Sequence, residues 1–148
     1  MSIQLTRDEL IARLVKAGEL EVAGTPATEI AGYFEVGNLR FHRPDGFESD
    51  FDGLNSYFAA IRSAFEDRKI RRGIMVVEGT VVACQTWITG RFVHAFTMSP
   101  AGPLPPNGAN ITMDLINIFI FTDGGRLVEE FVRTDYRSFL RQLGAEGL

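Results

Sequence analysis

The amino-acid sequence predicts an α+β domain in which helices pack against a curved antiparallel β-sheet. Apolar residues at helical spacing are concentrated before residue 66, whereas β-rich segments dominate residues 70–134. Helices and strands that segregate along a chain in this way form a helical layer against a sheet, rather than alternating β–α units. The chain of 148 residues is expected to be one domain with a sizeable core.

The helices are predicted from capping residues and from apolar spacing. Thr6 and Glu9 form a capping box before a first helix, which Gly18 is expected to end. Asp52 is expected to cap a second long helix, whose apolar residues recur at helical spacing up to Phe65. Further helices are expected at residues 28–34 and 136–143.

The strands are predicted from β-branched and aromatic runs separated by turns, and they are expected at residues 38–43, 70–77, 80–89, 111–121 and 126–134. Residues 122–125 form a hairpin turn between the last two. The run 111–121 is apolar on both faces, so both faces are expected to be covered. Because this run also carries Asp114 and Asn117, it indicates a sheet curled around a small-molecule pocket.

Composition and charge exclude several classes of function. The net charge of −4 gives no electrostatic reason to bind nucleic acid or an anionic membrane. The single cysteine, Cys84, allows no internal disulfide, and the two histidines give no recognised metal-ligand spacing. No apolar run approaches the ~20 residues of a membrane span, and no signal peptide is visible. We therefore expect a cytoplasmic protein with no metal and no cofactor.

Ordered landmarks along the chain point to a known family. They are His42-Arg43-Pro44 after the first strand, Phe51-Asp52-Gly53 and Ala64-Phe65-Glu66-Asp67 at the two ends of a helix, residues 78–83, Trp87-Ile88-Thr89-Gly90, residues 123–131 and Gln142-Leu143-Gly144. In this order they resemble the SnoaL-like polyketide (ester) cyclases of the nuclear-transport-factor-2-like (NTF2-like), cystatin-like superfamily, over about residues 8–144. The resemblance implies a curved antiparallel sheet wrapped around N-terminal helices, a cone-shaped cavity, and a homodimer formed through the open sheet face.

The chain departs from two groups of related enzymes at their catalytic positions. Val132 occupies the position of an acid that is catalytic in related epoxide hydrolases, and Gln85 and Trp87 occupy those of their Arg–Asp pair. Epoxide hydrolysis of that kind is therefore not expected. In related ketosteroid isomerases the general base corresponds to Arg43, which cannot act as a base, and a buried acid that donates to the substrate oxygen corresponds to Asn117.

The period of 2 along the strands, with the parity that related enzymes show, gives a predicted inner set: Arg40, His42, Gln85, Trp87, Leu115, Asn117, Glu130 and Val132. His42 is the sharpest candidate, because a histidine near neutral pH can accept or give a proton. The alternative is a hydrogen-bonded or solvated histidine at a strand end. Of the adjacent Glu129 and Glu130, at most one can face inward. A buried carboxylate there could serve as acid or base, unless both lie at a solvated edge.

The remaining candidates would bind or shape the substrate. Asn117 and Gln85 could hold a substrate carbonyl through amide N–H donors, or they could satisfy buried backbone groups instead. Trp87 could stack on a flat ring, although a core tryptophan is the alternative. Tyr33 and Tyr57 could offer hydroxyls at the pocket mouth, or they could pack between helices.

Two main hypotheses of function follow. The first is a cofactor-independent enzyme of the cyclase, isomerase or dehydratase type, which abstracts a proton beside a carbonyl on a small, mostly apolar, polyketide-like compound. His42, Glu130 and Asn117 would be catalytic. The substrate would contact Arg40, Gln85, Trp87, Leu115, Val132, Tyr33 and Tyr57. The second hypothesis is a non-catalytic ligand-binding or dimerisation module of the same fold, and a protein-interaction adaptor is a third possibility.

Overall fold

The computed structural model describes residues 5–145, which form helices on one face of a curved sheet, as predicted. The helices are α1 (Arg7–Ala23), α2 (Ala27–Ile30), α3 (Phe51–Ala64) and α4 (Tyr136–Gln142), with a 3₁₀ turn at Ala31–Tyr33 after α2. The strands are β1 (Arg40–His42), β2 (Glu48–Ser49), β3 (Phe65–Glu78), β4 (Val81–Phe92), β5 (Asn110–Phe121) and β6 (Leu127–Thr134).

Helix α1 is longer than predicted. Its capping box is present, with the Thr6 side chain accepting from the Glu9 N–H and the Glu9 side chain accepting from the Thr6 N–H. The predicted end at Gly18 is wrong, because the helix continues to Ala23 and Gly24 takes the left-handed conformation at φ 87°. Gly18 lies inside the helix, where a Cβ atom would stand 2.6 Å from Arg72 Nη2. This glycine therefore allows close packing rather than ending the helix.

Helix α3 begins two residues earlier than Asp52 suggests. Its N-cap is Asp50, whose carboxylate accepts a hydrogen bond from the Gly53 N–H at 3.0 Å. The helix places Leu54, Tyr57 and Ile61 on its buried side, and β3 follows it directly. Helix α3 therefore packs its apolar side against the same sheet that its C-terminal end enters.

The sheet has the strand order β2-β1-β6-β5-β4-β3. All neighbouring strands are antiparallel except β1 and β6, which run parallel, so the predicted antiparallel sheet is mixed at this one pair. The pairing of β3 with β4 shifts register between Glu66 and Lys69 and again between Arg72 and Met75. Irregularities of this kind bend a strand and increase its twist, which accounts for the curvature over the helices.

The two faces of the sheet differ in exposure. Strand β5 alternates strictly, with Leu115 and Asn117 buried toward the helices, while Ile116 and Ile118 on the other face are 53% and 42% exposed. The expectation that both faces of this strand are covered is therefore wrong for the single chain. We call the buried side the inner face and the exposed side the outer face. Over residues 5–145, no helix combines the length and the apolar character needed to cross a bilayer.

Candidate active site

A narrow cavity of about 60 Å³ lies between helices α1 and α3 and the inner face of the sheet. Its walls are largely apolar and include Phe34, Phe41, Leu54, Ile61, Leu115 and Val132. Polar side chains also line it, namely Arg13, Glu21, Tyr33, Tyr57, Arg72, Thr86, Asn117 and Glu130. An apolar pocket with a few convergent polar groups is the usual form of a small-molecule site.

The polar groups on the sheet form a continuous row across β3, β4, β5 and β6. Arg72 Nη1 donates to Thr86 Oγ1 at 2.6 Å, and Thr86 Oγ1 donates to Asn117 Oδ1 at 2.7 Å. Asn117 Nδ2 then points at Glu130 Oε2, at 3.4 Å. Every bond in this row donates in the same direction, so the row begins at a cation and ends at a carboxylate. We call these four residues the polar row.

The pKa of the Glu130 carboxyl group is unusually high for a glutamate. Its side chain is buried on β6, and this burial raises its pKa from 4.5 to about 7. The charge of Arg72 and the Asn117 hydrogen bond lower the pKa, but they do not outweigh burial. The negative charge of Glu21 raises it further. A carboxyl group that titrates near neutral pH can both take and return a proton during a reaction.

Arg72 supplies the positive charge of the site. Its guanidinium lies 5.3 Å from the Phe119 ring centroid, so a cation packs over an aromatic face inside the cavity wall. Burial lowers the pKa of Arg72, yet a guanidinium stays protonated at neutral pH. A guanidinium carries five N–H donors, and only one of them binds Thr86. The guanidinium also interacts with the Cys84 sulfur, and its remaining donors would serve a ligand oxygen.

Glu21 is a second buried carboxyl group at the cavity, and the sequence interpretation missed it. It lies on α1, is 2% exposed, and lines the same cavity as the polar row. Burial raises its pKa to about 7, although the nearby Arg62 lowers it. The signal was present, because Glu21 follows Leu14 and Gly18 on the buried stripe of α1. The wrong helix end at Gly18 concealed it.

Two tyrosines, Tyr33 and Tyr57, line the cavity. Tyr33 belongs to the 3₁₀ turn, and Tyr57 is buried on α3. Burial raises the pKa of Tyr57, so its hydroxyl stays neutral across the physiological range. The guanidinium carbon of Arg13 lies 4.7 Å from the Tyr33 ring centroid, which orders that ring at the cavity wall.

Of the predicted inner set, the structure brings Leu115, Asn117, Glu130 and Val132 to the cavity. The inward placement is wrong for Gln85 and Trp87. On β4 the buried residues are Val82, Cys84, Thr86, Ile88 and Phe92, so the odd-numbered side chains face outward. Gln85 Oε1 accepts the Ile74 N–H at 3.1 Å, and Trp87 packs against the Arg71 guanidinium at 4.7 Å.

The inward placement is also wrong for Arg40 and His42. In β1 the buried residue is Phe41, so its two neighbours lie on the outer face. His42 Nε2 is 2.6 Å from Glu129 Oε2, and its ring stacks on Phe131 at 4.2 Å. Arg40 Nε donates to Glu48 Oε1 at 2.8 Å. His42 therefore fits its alternative interpretation, a hydrogen-bonded histidine outside the pocket.

A comparison with protein families identifies the family of this chain. The SnoaL-like polyketide cyclase family matches residues 21–143, which is most of the chain. The chain belongs to this family. Membership supports a cyclase-type function for this SnoaL-like chain. A comparison with curated protein sequences found no match. Among residues 5–145, no three His, Cys, Asp or Glu side chains are grouped as metal ligands.

Solved structures of similar fold agree with this placement. TsrD from Streptomyces laurentii is 22% identical with a TM-score of 0.78, and the match covers 96% of this chain and 99% of that one. IdmH from Streptomyces antibioticus is 22% identical with a TM-score of 0.72, over 91% and 98%. SalBIII, an epoxide hydrolase/cyclase-like enzyme with a role in pyran ring formation, is 16% identical with a TM-score of 0.67, over 88% and 94%. These similarities establish the SnoaL-like, NTF2-like fold.

Proposed function

We propose that this SnoaL-like chain is a cyclase-type enzyme that acts by acid–base chemistry on a small, mostly apolar, polyketide-like carbonyl compound. The observation that carries the proposal is Glu130, a buried carboxyl group with a pKa of about 7 at the anionic end of the polar row. The apolar walls suit a largely apolar substrate. The role first expected for His42 passes to Glu130, because His42 lies on the outer face.

Arg72, Thr86 and Glu130 of the polar row each have a distinct part in this chemistry. The free N–H donors of Arg72 hold the substrate carbonyl oxygen, and Thr86 fixes the guanidinium. Ionised Glu130 takes a proton from the carbon beside that carbonyl, which leaves an enolate whose negative oxygen Arg72 stabilises. The enolate carbon then attacks a second carbonyl of the same molecule. The resulting alkoxide takes the proton back from Glu130, so one C–C bond forms and the residue is regenerated.

Ring formation is also the role described for SalBIII, but a pyran closes through a C–O bond, whereas the step proposed here forms a C–C bond. Positioning both ends of one flexible molecule in a closed site is itself a large part of the rate enhancement. The aromatic wall residues of the cavity, such as Phe34, Phe41 and Phe119, would pack against the substrate. The cavity lining supports the proposed substrate class, and the pairing of a cation with a titratable carboxyl group supports the proposed reaction.

Hydrogen exchange on a simple ketone tests this proposal without the natural substrate. Acetophenone in D₂O exchanges its methyl protons slowly, and nuclear magnetic resonance follows the loss of signal. We expect the wild-type protein to accelerate exchange and Glu130→Gln to lose at least about a hundredfold of that acceleration. Glu129→Gln is the matched control, because this neighbouring carboxyl group binds His42 on the outer face. Equal rates in the wild type and Glu130→Gln would contradict the proposal.

The same experiment addresses the ligand-binding module. Saturable binding of the ketone without any acceleration of exchange by the wild type would favour a non-catalytic protein of the same fold.

The homodimer also stays a prediction. Its support is the apolar outer face, where Ile74 and Val76 are 69% and 61% exposed beside Ile116 and Ile118. Sedimentation equilibrium of the wild type and Ile118→Lys tests it, and a monomeric wild type would contradict it.

A further inference from the structure

The Glu21 carboxylate is buried without hydrogen-bond partners among the described residues. Neither carboxylate oxygen has a hydrogen-bond partner among residues 5–145, and the side chain is 3% exposed. The nearest cationic atom, Arg62 Nη1, is 3.7 Å from Oε2 and donates its hydrogen bond to the Glu21 backbone carbonyl at 2.7 Å. Glu21 thus presents two buried, unpartnered acceptors at the wall of the cavity.

An unpartnered buried carboxylate is unfavourable for folding. Removing such a group from water without replacing its hydrogen bonds is penalised far more than burying an aliphatic side chain. Leu10 and Leu14 show that the buried stripe of α1 accepts leucine at the preceding positions. Leucine at position 21 would continue the stripe without this penalty. The carboxyl group is therefore explained best by a ligand that donates a hydrogen bond to it.

The surrounding charges indicate what kind of donor fits. Arg62 lies beside the carboxylate, and Arg13 and Arg72 line the same cavity. Gly18, one helical turn before Glu21 on α1, is the position at which Arg72 Nη2 approaches the helix. The guanidinium groups of Arg62 and Arg72 disfavour a cationic ammonium group at this position. A neutral hydroxyl meets no such repulsion, and it can donate to the carboxylate.

We propose that Glu21 binds a hydroxyl group of the substrate, so that the site selects hydroxyketones over simple ketones. This inference rests on the proposed function, because the polar row receives the carbonyl end of the same molecule. The carbonyl oxygen meets Arg72 on β3, and the hydroxyl meets Glu21 on α1. The two contacts fix the direction in which the substrate lies between the sheet and the helix.

Isosteric probes separate the hydroxyl contact from general binding. We would measure dissociation constants by calorimetry for para-hydroxymethyl acetophenone and para-ethyl acetophenone, which differ in one hydroxyl against one methyl group. The pH should be about 8, where Glu21 is mainly ionised. A hydrogen bond to a charged group corresponds to about tenfold tighter binding of the hydroxymethyl probe by the wild type. Glu21→Leu should lose this preference, and Glu19→Gln, an exposed acid on the same helix, should keep it.

Stability and a cationic probe complete the test. Glu21→Leu should raise the thermal midpoint by a few degrees, and Glu21→Gln supplies a polar, uncharged variant if the leucine variant does not fold. Para-aminomethyl acetophenone should bind more weakly than the hydroxymethyl probe. Equal binding of the hydroxymethyl and ethyl probes, or a preference that survives in Glu21→Leu and Glu21→Gln, overturns the inference alone. A wild type that binds none of these ketones contradicts the proposed function, and the inference fails with it.

Discussion

The Thr86 hydroxyl donates a hydrogen bond to Asn117 Oδ1 at 2.7 Å, and this bond sets the direction of the amide inside the cavity. Because the oxygen of the amide faces Thr86, its nitrogen must face Glu130. Arg72 also donates to this hydroxyl. The single hydroxyl proton of Thr86 therefore points away from Arg72 and toward Asn117. A single hydroxyl thus orients both the cation and the amide of the site.

Thr86→Val tests this orientation with almost no change of shape. The variant leaves Arg72 Nη1 and Asn117 Oδ1 without their buried partner, so we expect a loss of about 1–3 kcal/mol in the free energy of unfolding. Ketone hydrogen exchange should fall in parallel, because the Arg72 guanidinium is no longer fixed. Thr89→Val, on the outer face of the same strand, is the control. Unchanged exchange in Thr86→Val would show that the polar row does not organise the site.

Glu130→Gln should alter the dependence of stability on pH. In the wild type the folded state holds a proton on Glu130 between its unperturbed pKa of 4.5 and its raised pKa of about 7, where the unfolded state has released it. The free energy of unfolding therefore falls as the pH rises through this interval, and the loss stays constant above it. We expect a flatter profile of thermal midpoint against pH in Glu130→Gln. The exposed control Glu29→Gln should reproduce the wild-type slope, and the same slope in Glu130→Gln would contradict a raised pKa.

His42→Ala should affect stability rather than chemistry. The variant removes the contact with Glu129 and the stacking on Phe131 on the outer face, so we expect a loss of about 1–2 kcal/mol. Ketone exchange per folded molecule should remain at the wild-type rate. His94→Ala, at an exposed position, should change neither quantity. A large loss of exchange with no loss of stability would restore His42 as a catalytic residue.

The fold was predictable because its signals are local. Capping residues and apolar periodicity identified the segregation of helices and strands, and these depend on near neighbours in the chain. The errors arose where tertiary contacts decide. Glycine is a typical residue at the end of a helix, but Gly18 lies inside α1, where its missing side chain leaves room for Arg72. Asp52 was the predicted cap of α3, but the structure uses Asp50, whose carboxylate accepts the Gly53 N–H.

The site was predictable only in part, because side-chain parity is a global property. A shift of one residue sends a whole strand to the other face. The parity assumed for β5 and β6 placed Asn117 and Glu130 correctly, whereas that for β1 and β4 put His42 and Trp87 on the wrong face. Thr86 was concealed by the same error. Both faces of β4 carry apolar residues, so amphipathicity could not reveal it.

Gly18→Ala tests the close approach of α1 to β3. The added methyl carbon would stand 2.6 Å from Arg72 Nη2, so the guanidinium must move away from the helix. We expect ketone binding and exchange to weaken severalfold. Stability should change little, because alanine favours a helix interior by about 0.5–1 kcal/mol over glycine and offsets the displacement. Ala12→Ser, at an exposed position on α1, is the control, and wild-type exchange in Gly18→Ala would contradict this role of Arg72.

The most direct measurement is a titration of the Glu130 carboxyl carbon by nuclear magnetic resonance in ¹³C-glutamate-labelled protein. Its signal is assigned as the one absent from Glu130→Gln. We predict a midpoint of about 7, because burial in the apolar cavity outweighs the Arg72 charge and the Asn117 hydrogen bond. A midpoint near the ordinary glutamate value of 4.5 would contradict the account, since burial would then not outweigh the Arg72 charge and the Asn117 hydrogen bond, and Glu130 would not be a base matched to neutral pH.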